Sequence, residues 1–139
     1  FLATALQTRG LQIWDLVGLL MGWGAIAGES LADRQLSRWR SQPENRGKTC
    51  RAGLWRYSRH PNYFFEWLHW WAYVFFCIGS PWILAAFAGP ALIMLLLFRV
   101  SGIPYKEAQA LKSRGDDYRD YQQSTSLFIP WFPKKRISP

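Results

Sequence analysis

The chain has 139 residues, half of them apolar, and a net charge of +8, which fits one domain. Its 9 tryptophans, 6 tyrosines and 9 phenylalanines favour a membrane protein, because amphipathic aromatic side chains concentrate at the headgroup level. Nucleic acid is not expected as a partner, since the basic residues flank apolar runs instead of lining one soluble face. Cys50 and Cys77 indicate neither a disulfide framework nor a metal site.

Three apolar segments predict an all-α, polytopic membrane bundle with about three transmembrane helices and further juxtamembrane helices: residues 11–28, 63–79 and 81–98. The first segment carries one charge, Asp15, and at about 1.5 Å per residue it is just long enough to cross the hydrocarbon. Ser80-Pro81 predicts a tight turn between the second and third segments. Gly89-Pro90 predicts a kink in the third, which a membrane helix tolerates.

The positive charges predict the orientation of these spans. Two spans separate the loop 34–62 from the tail 99–139, so both must lie on one side of the membrane. Loop and tail together carry 16 of the 17 Lys and Arg residues, and only Arg9 precedes the first span. The positive-inside rule therefore predicts that loop and tail are cytoplasmic.

Two polar stripes adjoin the first two spans. On a helix over 61–79, the side chains of Asn62, Glu66, His69 and Tyr73 share one face. Because a charge at membrane depth is costly, this stripe predicts either packing against another polar helix or, as favoured here, a wall that lines a ligand site.

A second stripe forms if the first helix continues past Gly28, since Glu29, Asp33, Leu36 and Arg40 then share a face. Two carboxylates and a guanidinium on one face are able to bind a sugar hydroxyl and a phosphate. The alternative is a solvated juxtamembrane helix with intrahelical ion pairs. Residues 43–47 (PENRG) predict the end of this helix.

The segment 53–63 (GLWRYSRHPNY) combines a glycine turn, basic side chains and aromatic rings at the start of the second span. A helix N-terminus beside arginines is a ready anion site, and the aromatic rings suit a flat, phosphorylated ligand. Neither a GxGxxG nor a GxxxxGK[ST] motif occurs. Membrane helices and loops are therefore expected to hold any nucleotide cofactor.

The same segment resembles the signature of the steroid 5α-reductase-like and sterol reductase superfamily, most of all its bacterial branch, long labelled a domain of unknown function. The resemblance extends over about residues 29–133, through 31–36 (LADRQL), 99–104 (RVSGIP), Glu107, 118–121 (YRDY) and 128–131 (FIPW). Isoprenylcysteine and phospholipid methyltransferases share its RHPxY element. Phe65 stands where relatives often have glycine, so a narrower approach to the pocket is expected.

This resemblance implies a bacterial inner-membrane oxidoreductase of lipid metabolism that uses NADPH to reduce the C=C bond of an enone lipid, such as a 3-oxo-Δ4 steroid. It places one group of residues at the adenosine-phosphate end (Asp33, Leu36, Arg40) and another at the nicotinamide end (Asn62, Tyr63, Glu66). Arg99 and Tyr121 would close the pocket from the tail. The complete expected cofactor-binding set is Asp33, Leu36, Arg40, Trp55, Tyr57, Arg59, His60, Asn62, Tyr63, Glu66, Arg99, Glu107 and Tyr121.

Residues 1–139 are expected to form a single membrane domain, the C-terminal cofactor-binding half of a longer reductase. In steroid reductases the catalytic residues come from the N-terminal half, so none is assigned in this chain and that half is an expected partner. The expected ligands are membrane lipids and a lipid-like substrate, with no metal. The alternatives are an S-adenosylmethionine-dependent membrane methyltransferase and a non-enzymatic membrane scaffold.

Overall fold

The structure, a computed structural model, describes residues 10–100 and 102–135, whose regular secondary structure is entirely helical, with no β-strand. In chain order the helices are α1 (Ile13–Ser41), α2 (Pro61–Phe76), α3 (Ile83–Ala86), α4 (Ala88–Leu95), α5 (Ile103–Arg114) and α6 (Asp116–Ser124). Short 3₁₀ turns at Pro43–Asn45 and Gly53–Arg56 and a π-helical turn at Leu96–Val100 connect them. The all-α prediction is confirmed within these ranges. Four residues named in the sequence predictions lie outside them: Arg9, Ser101, Arg136 and Ser138.

Helix α1 is continuous from the first apolar segment into the basic loop. The prediction that the helix runs past Gly28 is therefore confirmed. Asp15 accepts a hydrogen bond from the backbone N–H of Gln12 at 2.7 Å, so this carboxylate caps the start of the helix. The helix ends at Ser41, before the Pro43–Asn45 turn, and Gly47 has a φ of 73°. The predicted break at residues 43–47 is confirmed.

Small residues let α1 and α2 pack closely. Gly18, Gly22 and Ala25 of α1 are buried, and a Cβ on Gly18 would lie 2.9 Å from the carbonyl oxygen of Ala72. Close backbone approach through small residues is typical of helices that associate in membranes. The ring of Phe65 packs over Gly28 in the same crossing, where a Cβ on the glycine would clash with it. Phe65 therefore packs in the helix interface, and the narrower approach to the pocket stays a prediction.

One helical stretch in the described residues, Ile83–Arg114, is long and apolar enough to cross a membrane by length and composition alone. It includes residues 83–98 of the third predicted span, 81–98. Helix α2 has 16 residues, about 24 Å, which is shorter than a bilayer core of about 30 Å. The three-span bundle therefore stays a prediction. The turn at Ser80 is confirmed. The third segment is interrupted at Phe87, just before α4, whereas Gly89 and Pro90, where the kink was predicted, lie within α4.

The tail folds back onto the start of α2. Helices α5 and α6 join at Gly115, whose φ is 53°, and they pack through Ala110, Tyr118 and Tyr121. Beyond α6, Phe128 packs with Leu97 and with the first turns of α2. The polar end of α1, the loop 49–60 and the tail are thereby brought together beside the N-terminus of α2.

Candidate functional site

A cavity of about 250 Å³ lies between α1, the loop 49–60, the start of α2 and the tail. Its walls are formed by Asp33, Leu36, Arg40, Thr49, Cys50, Trp55, Arg59, His60, Asn62, Tyr63, Lys106, Arg114, Tyr118 and Tyr121. Nine of the thirteen residues expected from the sequence are among them: Asp33, Leu36, Arg40, Trp55, Arg59, His60, Asn62, Tyr63 and Tyr121. Residues from three separate chain segments are thus brought to one site.

Three residues of the α1 stripe and the first residue of the α2 stripe meet at this cavity, whereas Glu66, His69 and Tyr73 of the α2 stripe do not line it. Asp33, Leu36 and Arg40 line it from α1, and the side-chain amide of Asn62 donates a hydrogen bond to Asp33 at 3.2 Å. The resemblance assigns Asp33 and Asn62 to opposite ends of a cofactor, whereas their side chains are in direct contact here. Asp33 and Asn62 therefore form one polar corner.

The loop wall is held by hydrogen bonds to α1 and to the tail. The indole N–H of Trp55 donates to the carbonyl of Ala32 at 2.9 Å. The Tyr121 hydroxyl is hydrogen-bonded to the backbone carbonyls of Trp55 and Ser58. Because Tyr121 is 2% exposed, these bonds are shielded from water and fix the loop against α6.

Glu107 contacts Arg59 and His60 of this loop from outside the cavity lining. Its carboxylate pairs with Arg59 and lies 2.8 Å from His60 Nε2, and it also accepts hydrogen bonds from Tyr118 and Gln122. Burial by itself would raise the pKa of Glu107. The hydrogen bonds from His60, Tyr118 and Gln122, together with the Arg59 charge, outweigh burial and lower that pKa to about 2. Glu107 is thus ionised at neutral pH and holds both basic side chains in place.

The other cations that line the cavity, Arg40, Lys106 and Arg114, are not held by Glu107 as Arg59 is. The side chains of Arg40 and Lys106, which line the cavity, form no hydrogen bond or ion pair with any residue that the structure describes. The Arg114 guanidinium lies 4.8 Å from the centre of the Tyr118 ring, and its Nε is buried without a hydrogen-bond partner. A buried donor without an acceptor is costly, so this side of the cavity is suited to an anionic ligand.

A second, more open cavity of about 840 Å³ adjoins the first and shares Leu36, Arg40, Cys50, Lys106 and Arg114 with it. It is lined by six cations and no carboxylate: Arg40, Arg46, Lys48, Lys106, Lys112 and Arg114. Such a surface attracts polyanions by its summed charge as well as by single contacts. The two cavities together form one site with a narrow aromatic part and a wide cationic part.

Four of the residues expected at the site do not line the smaller cavity. Glu107 lies behind the wall, and Arg99 is exposed in the π-helical turn. Tyr57 faces the tail, where its carbonyl accepts a hydrogen bond from the Trp131 N–H at 2.9 Å. Glu66 lies near Glu29 at the α1–α2 crossing. Burial first, and then the charges of Glu66 and Asp33, raise the pKa of Glu29.

Sequence reasoning did not assign five residues of the cavity wall to the site: Thr49, Cys50, Lys106, Arg114 and Tyr118. A helical signal was present in the tail, because Lys106, Ala110 and Arg114 recur every fourth residue on one face of α5. That spacing identifies a face but does not say what the face packs against. No group of three or more His, Cys, Asp or Glu side chains suited to a metal ion occurs among the described residues.

A family model for proteins of unknown function, DUF1295, matches residues 1–125. The chain belongs to the DUF1295 family. No curated protein and no solved structure matches it. The DUF1295 match includes every residue of both cavities and ends just after α6.

Proposed function

We propose that this DUF1295 chain is the NADPH-binding part of a membrane reductase that reduces the C=C bond of an enone lipid. This proposal rests on the joined cavity, where residues of the reductase-like signature lie beside Arg40 and Lys106, whose side chains have no pairing carboxylate among the described residues. The sequence resemblance to the steroid 5α-reductase-like family supplies the reaction. The geometry supports the kind of ligand, an anion with a flat ring system.

The cation distribution favours a phosphorylated ligand. Arg59 pairs with Glu107, although its Nε lacks an acceptor, whereas among the described residues Arg40, Lys106 and Arg114 have no pairing carboxylate and Arg114 Nε also lacks an acceptor. These last three residues line both cavities, so a ligand that crosses the junction would meet all of them. Phosphate groups form strong, charge-assisted hydrogen bonds with guanidinium and ammonium groups. S-adenosylmethionine has no phosphate and would leave this charge uncompensated.

The cavity sizes favour a long ligand. Ligand sites in proteins commonly enclose about 300–1,000 Å³, so the smaller cavity of about 250 Å³ fits only one part of a dinucleotide. The larger cavity of about 840 Å³ provides the remaining space and most of the cations. We therefore assign the phosphates of the cofactor to the wide part and a flat ring to the narrow part.

The chain's own residues would bind and orient the cofactor, and bound NADPH would supply the hydride. Asn62 is held by Asp33 and His60 by Glu107, so their side chains are fixed before any ligand arrives. The Tyr63 ring stacks on His60 with ring centres 5.6 Å apart, which gives the narrow part a flat aromatic wall. Apolar and aromatic walls keep water away from a bound ring.

A titration of the detergent-solubilised protein with NADPH, NADH and S-adenosylmethionine tests this function. We expect the tightest binding for NADPH, because only its 2′-phosphate adds a further anion for the free cations. Tightest binding of S-adenosylmethionine would favour a methyltransferase, and binding of none of the three would leave the scaffold alternative.

Arg40→Ala tests whether the 2′-phosphate of NADPH binds beside Arg40. A charge-assisted bond of this kind contributes about 1.5–3 kcal/mol, so the Kd for NADPH should rise on the order of tenfold to a hundredfold, with little change for NADH. Arg38→Ala is the matched control, since Arg38 lies in the same last turn of α1 but lines neither cavity. An equal loss for NADPH and NADH would move Arg40 away from the 2′-phosphate.

A further inference from the structure

The last described residues, 129–135, form an exposed apolar strap that is nevertheless fixed to the body of the protein. Ile129, Trp131 and Phe132 are 58%, 70% and 76% exposed. The backbone N–H of Trp131 donates to the Tyr57 carbonyl at 2.9 Å, and that of Lys134 donates to the Ser124 carbonyl at 2.8 Å. The strap therefore presents large apolar side chains to the outside from a backbone anchored at two points.

The strap leaves the core where the apolar helices end. Phe128, directly before it, is 6% exposed, and its ring centre lies 5.8 Å from Phe64, 5.7 Å from Trp67 and 5.4 Å from Phe98. Phe64 and Trp67 belong to the first two turns of α2, and Phe98 lies in the π-helical turn that ends the apolar stretch. The strap thus begins at the border between the apolar helices and the polar loop and tail.

The chemistry of the strap matches that border. Tryptophan favours the headgroup level of a bilayer, and exposed Lys134 and Lys135 follow Trp131 and Phe132 after a single residue, Pro133. Residues 125–139 contain no Asp or Glu, so no acidic neighbour in sequence compensates these lysines. Basic residues beside a membrane span are attracted to anionic lipid headgroups.

We propose that the strap 129–135 is a binding surface for anionic lipid, which inserts Trp131 and Phe132 into the headgroup layer and places Lys134 and Lys135 against lipid phosphates. It lies outside the segment 1–125 that matches the DUF1295 family, and it does not depend on the proposed cofactor. Because the backbone N–H of Trp131 donates a hydrogen bond to the Tyr57 carbonyl, binding of the strap to lipid would also stabilise the loop that carries Arg59.

A fluorescent label on Phe132→Cys tests whether the strap lies in the lipid headgroup layer of the reconstituted protein. Asp116→Cys is the matched control, because the Asp116 side chain is 93% exposed. Asp116 begins α6, beyond the far end of α5 from Ile103, which packs in the same cluster as Phe128. The length of α5 places about 18 Å between the two ends of that helix. Cys50 and Cys77 are buried, and labelling of the unmutated protein measures any contribution from them. Each protein is placed in phosphatidylcholine liposomes with and without phosphatidylglycerol, and both a lipid-borne headgroup quencher and aqueous iodide are applied.

We expect the lipid-borne quencher to reduce the signal at position 132 several-fold more than at position 116, and iodide to show the reverse order. Phosphatidylglycerol should increase lipid quenching at 132, and Lys134→Gln with Lys135→Gln, or salt at about 0.5 M, should abolish that increase. Equal access of iodide to both labels would overturn the proposal. Shielding of position 132 from both quenchers would indicate a protein surface over the strap, and equal quenching with and without phosphatidylglycerol would reject anionic-lipid recognition.

Discussion

Glu107→Gln is the most informative single change in this protein, because it removes one charge from the centre of the tail–loop contact. Glutamine keeps the shape of the side chain, but its single amide oxygen replaces two carboxylate oxygens that serve Arg59, His60, Tyr118 and Gln122. The amide NH₂ of glutamine would also face other donors. The Arg59 charge would then be left half-buried without a counter-charge, which is costly.

The pKa of Glu107 gives the magnitude and the pH range. In the folded protein this pKa is about 2, against an ordinary value of 4.5. At about 1.36 kcal/mol per pH unit, the difference corresponds to a stabilisation of at most about 3 kcal/mol. Since the folded-state pKa is the lower one, this stabilisation is fully present above about pH 4.5. It is lost as the pH falls toward 2.

Denaturant unfolding in mild detergent, measured between pH 3 and pH 7, tests this expectation. Glu107→Gln should lower the free energy of unfolding by about 2–3 kcal/mol at pH 7, and by less than half as much at pH 3, which is still above the folded-state pKa. Glu44→Gln is the matched control, because Glu44 is exposed in the Pro43–Asn45 turn, and it should change stability by less than about 0.5 kcal/mol. If Glu107→Gln has wild-type stability at pH 7, or retains the wild-type pH dependence, the charge cluster does not hold the tail to the loop.

Two further predictions concern the ligand and the topology. Glu66→Gln should weaken NADPH binding by about 1.5–3 kcal/mol with folding little changed, if Glu66 holds the nicotinamide amide. Wild-type NADPH affinity in the folded variant would instead make Glu66 part of the α1–α2 packing. Cysteines placed at Ser41 and Ser138 should both react with a membrane-impermeant reagent from the cytoplasmic side. Labelling of these two sites from opposite sides would reject the topology, and Ser138 lies outside the described residues.

Local sequence patterns were sufficient to predict the helical walls of the site. Asp33, Leu36 and Arg40 were placed on one helical face by spacing alone, and α1 does continue through them to Ser41. The end of α1 was also predictable, because Pro43 and the residues after it disfavour further helix. Both inferences use contacts within a few residues, which helix geometry determines directly.

The tail contacts could not be predicted in the same way. Arg59 and Glu107 are separated by 48 positions, and no periodicity connects a loop residue to a helix that far along the chain. Glu107 was expected at the site only from the family resemblance, and its position behind the wall follows from how α5 packs. The same limit explains why the sequence indicated Arg114 only as one of the basic residues that predict the membrane orientation, although it lines both cavities.

The position of Glu107 also changes which part of the signature is available to an anion. The sequence indicated an anion site at Arg59 and His60, directly before the N-terminus of α2. In the structure the protein's own carboxylate already occupies that site. A ligand phosphate placed there would have to displace a half-buried, ionised Glu107, which is costly. We therefore propose the opposite side of the cavity, beside Arg40 and Arg114, as the position of the phosphate, and we expect Arg40→Ala to weaken NADPH binding more than NADH binding.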